Sequence, residues 1–218
     1  MLKSSMANAA INPKSVRNIL PKRKDKPFAS VSVYPLDLFF DVQNPGEIIY
    51  IMMRKHFITN LPWIIKGVIF SLVPFFILIV ADLLVIGGEK FIFESIFNQA
   101  EPTFWLVALA IYYSGVISYL IGNYLNWYYN IYLLTNERVI HIHFKIFTGK
   151  IISEAALEKI EDISQQIFGF FPSIFNYGDV FVQTAAEKSK FLFKSVSDPS
   201  WFRDVLGDLV SLIRKGEP

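Results

Sequence analysis

The sequence predicts an α+β protein in which a transmembrane two-helix hairpin is followed by a small β-barrel or sandwich with a C-terminal capping helix. Three observations predict it: two long apolar runs, period-two alternation after residue 126, and an amphipathic C-terminal stretch. A helix needs about 20 apolar residues to cross a hydrocarbon core, and alternation is typical of strands. We divide the chain into a tail (1–30), a segment leading into the membrane (31–61), the hairpin (62–125) and a cytoplasmic domain (126–215).

The tail, residues 1–30, is predicted to be disordered and basic. Residues 12–27 combine three prolines with six Lys or Arg residues, so this stretch cannot bury enough apolar surface to offset its ordering entropy. Two interpretations stay open: a polybasic arm on an anionic leaflet, or a solvated tail that sets membrane topology. The residues that would meet lipid headgroups are Lys22, Arg23, Lys24 and Lys26.

The hairpin is predicted to have spans at 62–86 and 104–125. The first contains only Lys66 and Asp82 as charged residues, and the second contains none. Nine Lys or Arg residues precede Trp63, whereas the connector 87–103 has one. The positive-inside rule therefore predicts a multi-pass protein of the cell membrane with both termini in the cytoplasm.

A stripe of small residues runs along the second span, where they recur at every fourth position and so share one helix face. Small side chains let another helix backbone approach closely in a membrane. We expect Gly67 and Ser71 of the first span to be the counterpart; packing against a second copy, in a homo-oligomer, is the alternative. The stripe consists of Ala110, Ser114, Ser118 and Gly122.

After residue 126 the pattern predicts several short strands and one helix. Asp198 followed by Pro199 is typical of a helix N-cap and first turn, and apolar residues at helical spacing follow it. Residues 169–177 are expected to be a short helix or loop. The predicted strands are Val31–Tyr34, Ile131–Leu134, Arg138–Ile146, Lys150–Ala155, Ile160–Phe168, Asp179–Thr184 and Phe191–Val196.

The domain resembles the bacterial pleckstrin-homology (PH)-like domain of small membrane proteins. The resemblance rests on ordered motifs: GEIIYIMMRKHF before the hairpin, then LLTNERVI, TGKI, LEKIEDISQQ, NYGDVFVQTA and FLFKSVSDP after it. It implies a PH-like fold, with two nearly orthogonal sheets and a C-terminal helix closing one end, and it implies no enzymatic activity. The aromatic insertion at 168–177 departs from the shorter connection expected there.

The residue types argue against an enzyme. The chain has no cysteine and a net charge of +2, which excludes thiol chemistry and gives no indication of a nucleic-acid partner. His141 and His143 face the same way on a strand but lack a third ligand, so a polar strand face is favoured over a zinc site. We find no glycine-rich phosphate loop or nucleophile elbow. We therefore expect no catalytic residue, cofactor or metal.

Two functions remain open. The first is a membrane-anchored, non-enzymatic scaffold or interaction module that binds an unidentified membrane or cytoplasmic protein through a sheet edge or groove. The alternative is an anionic-lipid-binding or lipid-responsive module. Phosphoinositide recognition would need several bases near the first hairpin of the domain, and only Arg138 is there, beside Glu137. A looser basic surface toward the bilayer, or ordinary solvated turns, would comprise Lys145, Lys150, Lys188 and Lys190.

Overall fold

The computed structural model describes residues 20, 30–35, 43–83, 101–145, 149–185 and 191–215. The chain divides into two compact units. The described residues of 60–125 form two helices, called the hairpin below, and the described residues before and after them together form an α+β domain. The domain is therefore discontinuous in sequence, because the hairpin is inserted between its first two strands and the remaining six.

The domain contains two antiparallel sheets. The first has the strand order β1-β2-β3-β4-β5 and the second the order β6-β7-β8. The strands are β1 (Val31–Val33), β2 (Ile49–Arg54), β3 (Ile131–Thr135), β4 (Arg138–Lys145), β5 (Gly149–Ala156), β6 (Ile160–Gln166), β7 (Tyr177–Thr184) and β8 (Phe191–Ser197).

The segment 31–61, expected to lead into the membrane with one short strand at Val31–Tyr34, supplies two strands of the domain. β2 pairs with β3 in a register that runs from Ile49 opposite Thr135 to Arg54 opposite Ile131. Five successive residues, Ile49–Met53, are buried. Their continuous apolar run is typical of an internal strand that is covered on both faces, and β2 lies between β1 and β3.

The core of the domain lies between the sheets and the C-terminal helix. In our numbering the hairpin helices are α1 (Leu61–Leu83) and α2 (Pro102–Tyr129), a short helix α3 is Phe170–Phe175, and the C-terminal helix is α4 (Pro199–Lys215). The predicted apolar face of α4 is confirmed, and Val210 is buried with it. The Trp201 amide donates to the Asp198 carboxylate over 3.4 Å, as expected for an N-cap. The fully buried side chains of α4 are Phe202, Leu206 and Leu209.

The two sheets do not close into a barrel. Within the described residues, β5 is an edge strand of the first sheet and β8 is an edge strand of the second. The element order and the capping helix are those expected for a PH-like fold, whereas the closed barrel is not formed.

The hairpin has two helices that are long and apolar enough to cross a membrane. The Tyr112 hydroxyl donates to the Phe70 carbonyl over 2.6 Å, and the Tyr113 hydroxyl donates to the Ser71 carbonyl over 3.1 Å. These bonds satisfy phenolic groups that would otherwise lack partners in hydrocarbon. Gly67 is buried directly against Leu120.

The small-residue stripe lies on the other side of α2. Ala110, Ser114 and Ser118 are exposed and Gly122 is half-buried. At 3.6 residues per turn, the stripe is roughly opposite the face that bears Tyr112. Within the described hairpin, therefore, three of the four stripe positions are not buried against the first helix, and packing of the stripe against a second copy stays a prediction.

The contact between Gly67 and Leu120 predicts an asymmetry between two glycines of the hairpin. A Cβ at Gly67 would clash with Leu120 Cδ2, whereas a Cβ at Gly115 would meet nothing within 4 Å. Gly67→Leu should therefore destabilise the hairpin by about 1–3 kcal/mol, the usual cost of overpacking, and Gly115→Leu should not. Titration with SDS, followed by far-UV circular dichroism, measures the difference. Equal midpoints for the two variants would contradict this helix contact.

A second prediction concerns α4. Leu209→Ala should cost about 2–5 kcal/mol, because it truncates a fully buried leucine. Asp204→Ala, on the exposed face of the same helix, should cost less than about 1 kcal/mol. Urea-dependent proteolysis of the full chain in detergent measures both. A wild-type midpoint for Leu209→Ala would mean that α4 is not docked on the sheets.

Candidate binding groove

A groove with a volume of about 860 Å³ opens in the domain between β5 and β8. Strands β3 and β4 provide its floor, with Tyr132, His141 and His143, and β5 and β8 provide its walls. The remaining lining residues are Lys55, Ile151, Ser153, Glu154, Ala155, Ala156, Lys159, Thr184, Phe191, Leu192 and Lys194.

The β5 wall of the groove presents an unpaired strand edge. β5 pairs with β4 along its whole length, from Gly149 opposite Lys145 to Ala156 opposite Arg138. In the described part of the chain, no strand pairs with the other edge. Unpaired edge amides and carbonyls are a template for a further strand.

The β8 wall is already engaged by neighbouring groups. The His56 amide donates to the Ser195 carbonyl over 2.7 Å, and the Lys194 amide donates to the Tyr132 hydroxyl over 3.0 Å. Of the two edges, therefore, β5 offers more backbone for a new ladder.

The groove carries an excess of positive charge. Lys55, Lys159 and Lys194 line it together with one carboxylate, Glu154. That carboxylate accepts a hydrogen bond of 2.5 Å from Arg138 Nη1. Burial and the neighbouring Lys194 lower the pKa of Lys55 despite the opposing attraction of Asp179. The groove is therefore a region in which an anion would relieve repulsion between cations.

His141 lies on the groove floor and is half-buried, not on the exposed polar face that the sequence suggested. Its ring lies 4.5 Å from the ring of Tyr132, and its Nε2 is buried without a hydrogen-bond partner. Burial, together with His143 and Lys55, lowers the pKa of His141 to about 4. The ring is therefore neutral near pH 7, with a ring nitrogen able to bond to a ligand. Across the described residues, no group of three or more His, Asp or Glu side chains is placed to hold a metal ion.

Arg138, the base nearest the first hairpin of the domain, is committed to a buried ion pair with Glu47. Its Nε lies 3.0 Å from Glu47 Oε1 and its Nη2 lies 2.9 Å from Oε2. Thr135 and the Asn44 amide also donate to this carboxylate, and the Glu47 side chain is fully buried. Burial raises the pKa of Glu47, but these bonds outweigh it and hold the pKa below 4.5. Arg138 therefore stabilises the fold, and the two guanidinium nitrogens paired with Glu47 are not available to bind a phosphate.

The sequence-predicted basic surface does not coincide with the groove. Lys145 and Lys150 are exposed and do not line it. The remaining predicted cations, Lys22, Arg23, Lys24, Lys26, Lys188 and Lys190, lie outside the described residues. Sequence reasoning missed Lys55, Lys159 and Lys194, because they lie in three separate parts of the chain and no local spacing connects them.

The aromatic insertion forms an exposed apolar cluster around α3. Phe168 and Phe170 are 84% and 74% exposed, and Asn176 ends the helix in a left-handed conformation at φ 48°. A cluster of large apolar side chains on the surface of a domain commonly marks an interaction site. Its members are Ile167, Phe168, Phe170, Phe171, Ile174 and Phe175.

Comparison with solved structures finds a likeness to a DUF1696 family protein with a pleckstrin-homology domain from Shewanella loihica PV-4. The match has 16% sequence identity and a TM-score of 0.30, and it covers 37% of this chain and 70% of that chain. No protein-family model and no curated protein matches the chain.

The Glu47–Arg138 pair predicts a specific pH dependence. Because the pKa of Glu47 is lower in the folded chain than the ordinary value of 4.5, its contribution is complete above that value and is lost as the pH falls through the folded pKa. Glu47→Gln should cost about 3–5 kcal/mol at pH 7 and should make the acid dependence of stability shallower.

Glu154→Gln is the matched control, because it removes the other carboxylate on Arg138, which is 52% exposed. It should cost less than about 1 kcal/mol. Urea unfolding at several pH values measures both variants. Parallel stability–pH curves for Glu47→Gln and the unsubstituted chain would show that the pair does not contribute as argued.

Proposed function

We propose that this chain is a membrane-anchored, non-enzymatic interaction module whose domain binds an extended segment of a partner protein in the groove at the cytoplasmic face. The observation that carries the proposal is the unpaired edge of β5, which forms one wall of the groove. A segment added there would gain a ladder of backbone hydrogen bonds, and side-chain pockets would select its sequence.

The anchoring part of the proposal rests on the hairpin. Its two helices have the length and composition of membrane spans, and their large apolar side chains are mostly exposed on the hairpin surface. Such surface suits contact with lipid. The excess of Lys and Arg before the first span supports cytoplasmic termini and hence a cytoplasmic domain.

Site-specific photo-crosslinking in native membranes tests the proposal. A photoreactive residue at Ile151, which is 52% exposed in the groove wall, should give adducts that mass spectrometry maps to one short segment of a partner protein. The same residue at Asp208, on the exposed face of α4, is the control. Adducts no more frequent at Ile151 than at Asp208 would contradict binding in the groove.

A second candidate, an anionic-lipid-binding or lipid-responsive module, is favoured by the exposed apolar cluster around α3. Phenylalanines can insert into the headgroup region while nearby basic side chains contact anionic lipid. The chain has no cysteine, so Ser173→Cys, on exposed α3, can carry a polarity-sensitive dye.

In nanodiscs, emission at Ser173→Cys should shift to the blue relative to Asp208→Cys if α3 enters the bilayer surface. A shift that grows with the fraction of phosphatidylserine would support lipid response. Identical emission at the two positions would exclude contact between α3 and lipid.

A further inference from the structure

We propose that the groove is specific for an acidic extended segment, in which carboxylates alternate with apolar side chains. This inference rests on the proposed function and deepens it, because it names the chemistry of the partner. The acidic specificity is argued from the charges and the shape of the groove, whereas binding of an extended segment is argued from the free edge of β5.

The shape of the groove fits an extended chain. Its β5 wall runs from Ile151 to Ala156, a length of about 17 Å at roughly 3.3 Å per residue. Cations lie at both ends of this wall. Lys55, whose charge acts on His143 opposite Ile151 in the β4–β5 register, marks one end, and Lys159, three residues beyond Ala156, marks the other. Charges that are spread along a strand suit several carboxylates on one extended segment better than a single compact headgroup.

The cations near Ile151 form a receptor for one such carboxylate. Lys55 and Lys194 both line the groove and repel each other, and His141 adds a buried Nε2 that lacks a partner. Among the described lining residues the one carboxylate, Glu154, is paired with Arg138. Asp179, which is outside that lining, attracts Lys55 but does not reverse the net lowering of the Lys55 pKa. A carboxylate that enters here would be held by charge-assisted hydrogen bonds from the lysines.

Apolar side chains lie between the charges. Ile151 is exposed in the β5 wall, and Phe191 and Leu192 line the β8 side. Because successive side chains of a strand point to opposite faces, a segment with acidic and apolar residues at alternate positions can meet both kinds of surface. A uniformly acidic segment would leave the apolar surface exposed to water.

Fluorescence anisotropy with the full chain in phosphatidylcholine nanodiscs tests this specificity. The probes are three labelled peptides of equal length that alternate Val with Glu, Gln or Lys. The Glu peptide should bind at least about tenfold more tightly than the Gln peptide, a difference of about 1.4 kcal/mol, and the Lys peptide should bind least. Lys55→Gln with Lys194→Gln should remove most of the preference for Glu.

Two controls separate charge from folding. Lys55→Arg with Lys194→Arg keeps both charges and should retain the preference, and Lys215→Gln removes an exposed cation at the end of α4 and should have no effect.

Equal affinity for the Glu and Gln peptides would overturn the proposed charge specificity and leave the proposed function intact. Binding of no peptide, together with no adduct at Ile151, would overturn both. Loss of Glu-peptide binding in phosphatidylserine nanodiscs would assign the cations to a lipid headgroup instead.

Discussion

The domain depends on the pairing of β2 with β3, because that pairing joins the part of the chain before the hairpin to the part after it. The buried ion pair between Glu47 and Arg138 lies at one end of this ladder, next to the register pair of Ile49 and Thr135. A buried carboxylate and guanidinium are costly to desolvate, and they are tolerated only when geometry and hydrogen bonds are complete. Here Thr135 and Asn44 supply the remaining bonds to Glu47. The pair therefore joins the two segments at one end of the ladder.

This arrangement leaves the groove at the opposite edge of the same sheet. β1 and β2 occupy one side of the five-stranded sheet, so β5 is the edge strand on the other side. Because the sheets do not close, the gap between β5 and β8 becomes the groove, with the aromatic side chains of Tyr132 and Phe191 among its lining. The opening between the sheets is thus a consequence of strand order. Its positive charge comes from Lys55 and Lys159, which lie between strands, and from Lys194 within β8.

The groove and α3 present different chemistries. The groove combines lysines, histidines and a strand edge, whereas the cluster around α3 is built from phenylalanine and isoleucine. A polar, directional surface suits recognition of a specific segment, and a convex apolar one suits a less specific partner such as a lipid interface. The two candidate functions therefore concern separate surfaces of the domain, and each can be tested without disturbing the other.

The sequence by itself determined the elements. The length of the apolar runs predicted both helices of the hairpin, and short strand-like runs predicted β1 and β3 to β8. The Asp198-Pro199 pair with its apolar stripe predicted α4. These signals are local. Tertiary structure decided what no local signal encodes. It placed β2 inside the sheet and left Ala110, Ser114 and Ser118 exposed on the hairpin. It also left the side chain of His141 half-buried on the groove floor. It also gathered Lys55, Lys159 and Lys194 into one groove, since residues so far apart in sequence meet only through strand order and register.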